Sequence, residues 1–390
     1  MFARLAAAHA QRAHDGLLRQ LRTVERVDTP RIVIDDQLLL DFASNDYLGL
    51  AQHRAVREAL IDTANRHGVG ARAAHLLGGH RAEHAALEEK LAAWTGRERA
   101  LLFSTGYMAN LGAIVALIGK NDVCAQDKLN HASLLDGARL SCATLKRYAH
   151  VDVTAAARQL RSCPGAAAML VTDGVFSMDG DTAPLRELAA LCKTEHALLM
   201  VDDAHGLGVL GPEGAGSLAA AGLDQAEAPV LMATLGKALG VAGAFVAGSA
   251  ALIDGLLQFA RSYIYTTAMP AALAAAASAA IDVARGNNDL RNRLQQHIAH
   301  LRSGAADRGI ALLASSTPIQ AVVIGSSAKA LEVSRRLFAA GFHVPAIRPP
   351  TVAATQARLR ISLSAAHTST DIEHLLNALD AALASHARLR

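Results

Sequence analysis

The chain has 390 residues, 52% of them hydrophobic and 19% charged, which is enough apolar material to bury a large core and to build two lobes. Lys and Arg total 38 against 35 acids, a formal charge of only +3, so charge gives no case for nucleic acid as the main partner. Its four cysteines (Cys124, Cys142, Cys163 and Cys192) show no CxxC spacing and read as free thiols in a reducing cytoplasm.

Residues 1–23 are rich in Arg and Ala and reach their first acid at Asp15, a composition shared with mitochondrial transit peptides. They lack a small-residue cleavage signal and run into Arg31-Ile32-Val33-Ile34, a strand-like run, so an amphipathic helix of the mature chain is the better reading. From about Arg99 to Ser249, short apolar runs alternate with helical periods. The runs are Ala100-Leu101-Leu102-Phe103, Ala168-Met169-Leu170-Val171, Leu198-Leu199-Met200-Val201, Val230-Leu231-Met232-Ala233 and Ala244-Phe245-Val246-Ala247. Continuous apolar strands suit a sheet covered on both faces, which predicts an α/β fold with a large, mostly parallel sheet. Residues 269–284 are mostly alanine and include Pro270, Ser278 and Asp282. They are too short and weakly apolar to span a membrane and read as an ordinary helix. A strand at Ile319-Gln320-Ala321-Val322-Val323-Ile324, a helix near 328–340, a strand in 357–363 and a final helix predict a smaller α+β lobe. The expected division is an N-terminal helix and strand segment (1–45), a large cofactor-binding domain (46–270) and a small C-terminal domain (271–390).

Three pattern matches mislead. His80-Arg81-Ala82-Glu83-His84 fits HxxEH, a zinc-hydrolase spacing, but no third ligand lies nearby in sequence and the segment reads as the polar start of a helix. Gly206-Leu207-Gly208-Val209-Leu210-Gly211 fits GxGxxG after a strand, the basis of a nicotinamide-oxidoreductase reading. Pro212-Glu213-Gly214 follows, however, where a dinucleotide site needs a helix to open toward the pyrophosphate. Gly236-Lys237 fails as a nucleotide P-loop, because Leu231 and Ala238 replace its first glycine and its magnesium-binding hydroxyl.

The chemistry concentrates at strand ends. Lys237, in Thr234-Leu235-Gly236-Lys237-Ala238-Leu239-Gly240, follows an apolar strand, where partial desolvation makes an amine nucleophilic, and the Thr234 hydroxyl can bond a phosphate. Most lysines between glycines are plain loop residues, so the neighbours matter. Asp202, at the end of 198–201, needs a cation to offset its desolvation. A protonated pyridine is such a cation, and pyridoxal phosphate needs a carboxylate there to act as an electron sink. His205 follows three residues on. Phe103-Ser104-Thr105-Gly106-Tyr107-Met108-Ala109-Asn110 runs from strand to helix, whose free N–H groups favour a phosphate. Leu129-Asn130-His131-Ala132-Ser133 offers an imidazole that can stack on a flat ring.

These segments, with Ser44-Asn45-Asp46-Tyr47-Leu48-Gly49-Leu50, Gly174-Val175-Phe176-Ser177-Met178-Asp179-Gly180-Asp181 and Val201-Asp202-Asp203-Ala204-His205-Gly206, resemble the α-oxoamine synthases. That family belongs to the fold-type I pyridoxal-phosphate enzymes, and the resemblance runs from Leu18-Arg19 to the last helix. Tyr148-Ala149-His150-Val151-Asp152-Val153 and Ile347-Arg348-Pro349-Pro350-Thr351-Val352 favour its branch that joins L-alanine to a pimeloyl thioester in biotin biosynthesis over glycine-using relatives. The alternative is another synthase of the family, making aminoacetone-type or sphingoid-type ketones.

The resemblance implies a homodimer with active sites at the interface, and a role for each residue. Lys237 carries pyridoxal phosphate covalently, Asp202 pairs with its ring nitrogen, and His205 and Ser177 sit by its phenolic oxygen. Gly106, Tyr107 and Thr234 hold its phosphate side, which Thr266 of the second subunit also reaches, and His131 stacks on the ring. Arg360 grips the amino-acid carboxylate, a task suited to a planar bidentate donor, while Asn45, Arg19 and Thr351 fall on the substrate side. The pair Pro349-Pro350 predicts an extended course able to wall an acyl tunnel, with Arg19 or Arg348 as the donor for a distal carboxylate. One departure concerns specificity. Gly70-Ala71-Arg72-Ala73-Ala74-His75-Leu76 replaces a Gly/Ser-rich loop, and Ala74 lacks the hydroxyl that in relatives restricts the amino-acid side chain.

Overall fold

The structure, a computed structural model, describes residues 1–387 and divides into two compact units. One comprises Met1–Gly49, Met178–Gly180 and the chain from Asn292 onward; the other comprises Leu50–Ser177 and Asp181–Arg291.

In the first unit, helix Phe2–His14 buries none of its residues. Three antiparallel strands follow: β1 (Val24–Asp28), β2 (Arg31–Ile34) and β3 (Gln37–Asp41). Ile32, Ile34 and Leu39 are buried together with Phe338 packed against them.

The second unit is built on seven strands: β4 (Arg99–Phe103), β5 (Val123–Asp127), β6 (Thr144–Tyr148), β7 (Ala168–Asp173), β8 (Leu198–Asp202), β9 (Val230–Thr234) and β10 (Ala244–Gly248). Their order is β4-β10-β9-β8-β7-β5-β6. β10 runs antiparallel to both its neighbours, and the other pairings are parallel. All five apolar runs form strands, and the reason is visible in their burial. Met169, Val171 and Met200 join one apolar cluster, whereas Leu170, Leu199 and Val201 join another. Successive side chains point to opposite faces, so both faces are dry and each run must be apolar throughout. β5 and β6 escaped that signal because they carry Gln126 and Asp127, and Lys146 and Arg147. The four adjacent parallel strands β5, β7, β8 and β9 bring Asp127, Asp173, Asp202 and Thr234 to one edge of the sheet.

The alanine-rich stretch forms helix Ala271–Gly286, whose small buried face packs on helices Arg54–His67 and Ala82–Thr95. The large unit therefore extends to Arg291 rather than ending at residue 270. Returning to the first unit, β11 (Ile319–Gly325), β12 (Phe342–His343), β13 (Ala346–Ile347) and β14 (Ala357–Ser362) complete the strands, with β11-β14-β13 as a separate sheet. β12 pairs in parallel with β3, setting Phe342 opposite Leu40 and His343 opposite Asp41. That pairing groups residues 1–49 with the C-terminal part, where the sequence suggested a separate segment ending at 45. Among the described residues, no helix is long and apolar enough to cross a membrane.

Candidate active site

The edge carrying Asp173, Asp202 and Thr234 opens into a cavity of about 190 Å³ lined by Gly106, Tyr107, His131, Ser177, Asp202, His205, Thr234 and Lys237, among others. Eight site residues predicted from widely separated segments are thus brought together within one unit. Asp202 and His205 are buried. The Asp202 carboxylate accepts from Asn110 Nδ2 at 2.7 Å and from the Ala204 N–H at 3.0 Å. Asp173 is its cross-strand partner and is also buried. Burial raises the Asp173 carboxyl well above its ordinary range and the nearby Asp202 adds to this, while the His131 N–H and Lys237 act the other way. Two buried acids side by side call for a cation between them or before them.

His131 caps helix Ala132–Leu140, and its backbone N–H donates to Asp173 Oδ2 at 2.8 Å. Its imidazole is drawn below the ordinary histidine range, chiefly by desolvation and also by Lys237, against the pull of Asp202 and Asp136. Helix Gly106–Leu117 begins at the cavity, with Thr105 Oγ1 accepting the Met108 N–H at 3.2 Å. The N–H groups of Gly106 and Tyr107 in that first turn have no helical partner, and with the dipole they suit a phosphate. Tyr107 is exposed and its hydroxyl donates to Asp136. The Thr234 hydroxyl donates to the Gly243 carbonyl at 3.0 Å and accepts the Gly236 N–H at 3.2 Å, so it must turn to donate to a phosphate. Thr266 is half-buried and follows helix Arg261–Ile264.

The remaining predicted residues lie in the other unit. Arg360, on β14, is buried, and it donates to Ser362 Oγ at 3.0 Å and Asn45 Oδ1 at 3.0 Å. Its third neighbour, Tyr47, is pushed up to about 12 by burial, which the guanidinium only partly opposes. Arg19 and Thr351 are exposed. Arg348 spends its guanidinium on the carbonyls of Gly16 and Leu18, so it braces the segment beside Arg19. Pro349 and Pro350 lie in a turn closed by the Thr351 N–H on the Arg348 carbonyl at 3.1 Å, not in an extended course.

The misleading motifs acquire structural reasons. Both ring nitrogens of His84 are engaged, one by the Arg81 N–H at 2.9 Å and the other with the Met269 carbonyl at 2.8 Å. That removes it as a zinc ligand. The GxGxxG segment is a succession of turns. A Cβ at Gly206 would overlap Asp203 Oδ1, so this glycine makes room for a buried carboxyl, which burial pushes up to about 7. Ala74 bridges to Thr267, and the Ala73 carbonyl accepts the Ala268 N–H at 3.0 Å, which pins the unusual loop to the segment that follows Thr266.

Sequence reasoning missed Asn110, Ser133 and Asp173 as lining residues, and it gave no role to His150. The His150 ring sits between Asp127 Oδ1 at 3.0 Å and Asp181 Oδ2 at 2.8 Å. Burial alone lowers its pKa, but the two carboxylates overcome this and raise it to about 10. Asp127 also accepts the N–H groups of Leu129 and Val151, each at 2.8 Å. The His150 cation thereby ties the turn before His131 to the turn after Ser177.

A model of the class I and II aminotransferases matches residues 38–379. An 8-amino-7-oxononanoate synthase of Thioalkalivibrio sulfidiphilus is 54% identical over 95% of both chains. One from Methylococcus capsulatus is 55% identical, again over 95% of both. The chain belongs to the 8-amino-7-oxononanoate synthase family. Its fold is that of the fold-type I pyridoxal-phosphate transferases. A serine palmitoyltransferase of Sphingomonas wittichii superposes with a TM-score of 0.92 at 31% identity, covering 97% of this chain and 96% of that one. The 8-amino-7-oxononanoate synthase of Francisella tularensis gives 0.78, also at 31%, covering 90% and 99%. Backbone likeness at equal identity does not separate the two activities, whereas 54–55% identity over nearly the full length does. A related serine palmitoyltransferase structure holds pyridoxal phosphate. The donor set here fits that group. It offers a buried carboxylate for the ring nitrogen, an amine, two imidazoles, open helix N–H groups, and a buried Asn110 Oδ1 with no protein partner.

Proposed function

We propose that the chain condenses L-alanine with a pimeloyl thioester, on coenzyme A or a carrier protein. The products are 8-amino-7-oxononanoate, carbon dioxide and the free thiol, a step of biotin biosynthesis, and the cofactor is pyridoxal phosphate. The observation that carries this reading is the convergence of Lys237, Asp202, His205 and His131 on one cavity in a chain of this family. When bound, the cofactor supplies an electron sink for negative charge at the amino-acid Cα. Lys237 would hold it covalently, and its Nζ, when free, would take the Cα proton. Asp202 keeps an anion at the pyridine nitrogen, and His205 and Ser177 bond the phenolic oxygen. The N–H groups of Gly106 and Tyr107 and the hydroxyl of Thr234 bind the phosphate, joined by Thr266 from a second copy. His131 covers the ring and excludes water from it.

Arg360 grips the alanine carboxylate with Asn45 beside it, held rigid by its neutral oxygen neighbours. Arg19 and Thr351 serve the acyl chain. A homodimer accounts for the exposed Val69, Leu77 and Tyr265, apolar groups that an isolated chain leaves in water. The site works in the reducing cytoplasm, consistent with four free cysteines.

Purified protein should absorb in the visible, and borohydride should bleach that band while fixing the cofactor to the peptide containing Lys237. A protein that stays colourless after addition of pyridoxal phosphate contradicts the reading.

A further inference from the structure

Asn110 stands one turn into the helix that opens on the cavity, and it is 1% exposed. Its amide nitrogen makes two hydrogen bonds, to Asp202 Oδ2 at 2.7 Å and to Ser133 Oγ at 2.8 Å. Ser133, fully buried, lies 2.7 Å from His131 Nδ1 through Oγ, and its backbone N–H points to the same nitrogen at 3.3 Å. The two helices that carry these residues approach closely because residue 137 is glycine. A Cβ there would lie 2.9 Å from Ile114 Cδ1 and 3.5 Å from the Asn110 carbonyl oxygen.

Hydrogen accounting fixes the direction of this relay. The opposite amide orientation would set the Asn110 carbonyl oxygen against a carboxylate, so the NH2 group faces Asp202. Its two hydrogens are then spent on Asp202 and Ser133. Ser133 Oγ accepts one of them, which leaves its own hydrogen to donate to His131 Nδ1. That nitrogen receives a second donor from the Ser133 backbone, so it carries no hydrogen and the neutral ring is protonated at Nε2.

We propose that Asn110 is a positioning residue for the reaction: it fixes the Asp202 carboxylate directly and the His131 tautomer through Ser133. This rests on the cofactor assignment above only for the Asp202 arm. The His131 arm concerns the protein alone. The relay explains why an amide is present and not another acid. Only NH2 donates twice, and a third carboxylate beside Asp173 and Asp202 would repel both.

The test uses Asn110→Ala and Ser133→Ala in the full-length protein, with melting curves to establish folding. Two readouts apply: the rate at which holoenzyme loses its visible band on dilution into a cofactor trap, and the His131 ring-nitrogen NMR shifts, assigned with His131→Gln. Asn110→Ala should lose cofactor about tenfold faster or more, the size of one charge-assisted hydrogen bond, and should shift the His131 Nδ1 resonance, because the donor that orients the Ser133 hydroxyl is gone. Ser133→Ala should shift only the Nδ1 resonance, since its hydroxyl donor goes while its backbone N–H donor stays, and cofactor loss should stay within about twofold of the parent, because the bond to Asp202 survives. A folded Asn110→Ala protein with parental cofactor loss overturns the Asp202 arm, and an Nδ1–H tautomer in the parent or an unchanged Nδ1 resonance in Ser133→Ala overturns the His131 arm. If Asn110→Ala does not fold, the Nδ1 resonance of the parent and of Ser133→Ala decides. If the parent itself binds no cofactor, the function fails while the tautomer measurement still judges the relay.

Discussion

Asp202→Asn isolates charge from shape at the centre of the site. Both carboxylate oxygens act as acceptors, Oδ2 for Asn110 Nδ2 at 2.7 Å and Oδ1 for the Ala204 N–H at 3.0 Å. An amide has one acceptor, so its NH2 must turn toward one of these donors, and a charge-assisted hydrogen bond in a buried setting is lost. That costs about 1.5–3 kcal/mol, or roughly 10- to 150-fold in an equilibrium or rate. The loss of turnover should exceed this range, because the anion at the pyridine nitrogen matters most when negative charge develops at Cα. The fold should survive, since Asn fills the same volume. The assay is thiol release at saturating L-alanine in a variant shown by absorbance to be loaded with cofactor and by circular dichroism to be folded. Turnover within about twofold of the parent in such a protein would refute the electron-sink role of Asp202.

Three further outcomes follow from other parts of the structure. Lys237→Ala should abolish turnover and the borohydride-fixed adduct, and a normal yield of adduct would move the assignment to another lysine. The raised His150 pKa makes its ion pairs stabilising below the unfolded-state value near 6.5, with that contribution lost as pH rises through about 10. The parent melting temperature should therefore fall more steeply than that of His150→Gln between these limits, and parallel curves would show that the cation contributes nothing. Arg19→Ala should raise KM for the pimeloyl substrate more than for an uncharged acyl chain of equal length, by about 1–3 kcal/mol if the side chain meets the distal carboxylate. Equal changes would make Arg19 structural.

The parts of this molecule readable from sequence were those whose physics is local. An apolar run such as Leu198-Leu199-Met200-Val201 declares a doubly covered strand by itself, and the acid, lysine and histidines stand at strand or helix ends where hydropathy breaks. Asn110 looked like any polar residue in a helix, because its function depends on Ser133 and Asp202, 23 and 92 positions away. His150 sat inside a quoted motif yet stayed mute, since its two carboxylates come from β5 and from a turn 31 residues on. β5 was hidden by the same polar residues that make its end functional. The division into units was misjudged for a related reason. The pairing of β3 with β12 spans about 300 residues, and no local pattern announces a partner that distant. The glycines of 206–211 showed the reverse failure, a strong local pattern produced without a ligand: Gly206 makes room for the buried Asp203, and Gly208 and Gly211 take positive φ in turns.

The central claim is the choice of substrates, and product analysis tests it most directly. Holoenzyme given L-alanine and a pimeloyl thioester should release one carbon dioxide for each free thiol and form an amino ketone with the mass of 8-amino-7-oxononanoate. Acetyl thioester with glycine, or palmitoyl thioester with serine, should react far more slowly. A clear preference for either of those pairs, or thiol release without carbon dioxide, would contradict the account.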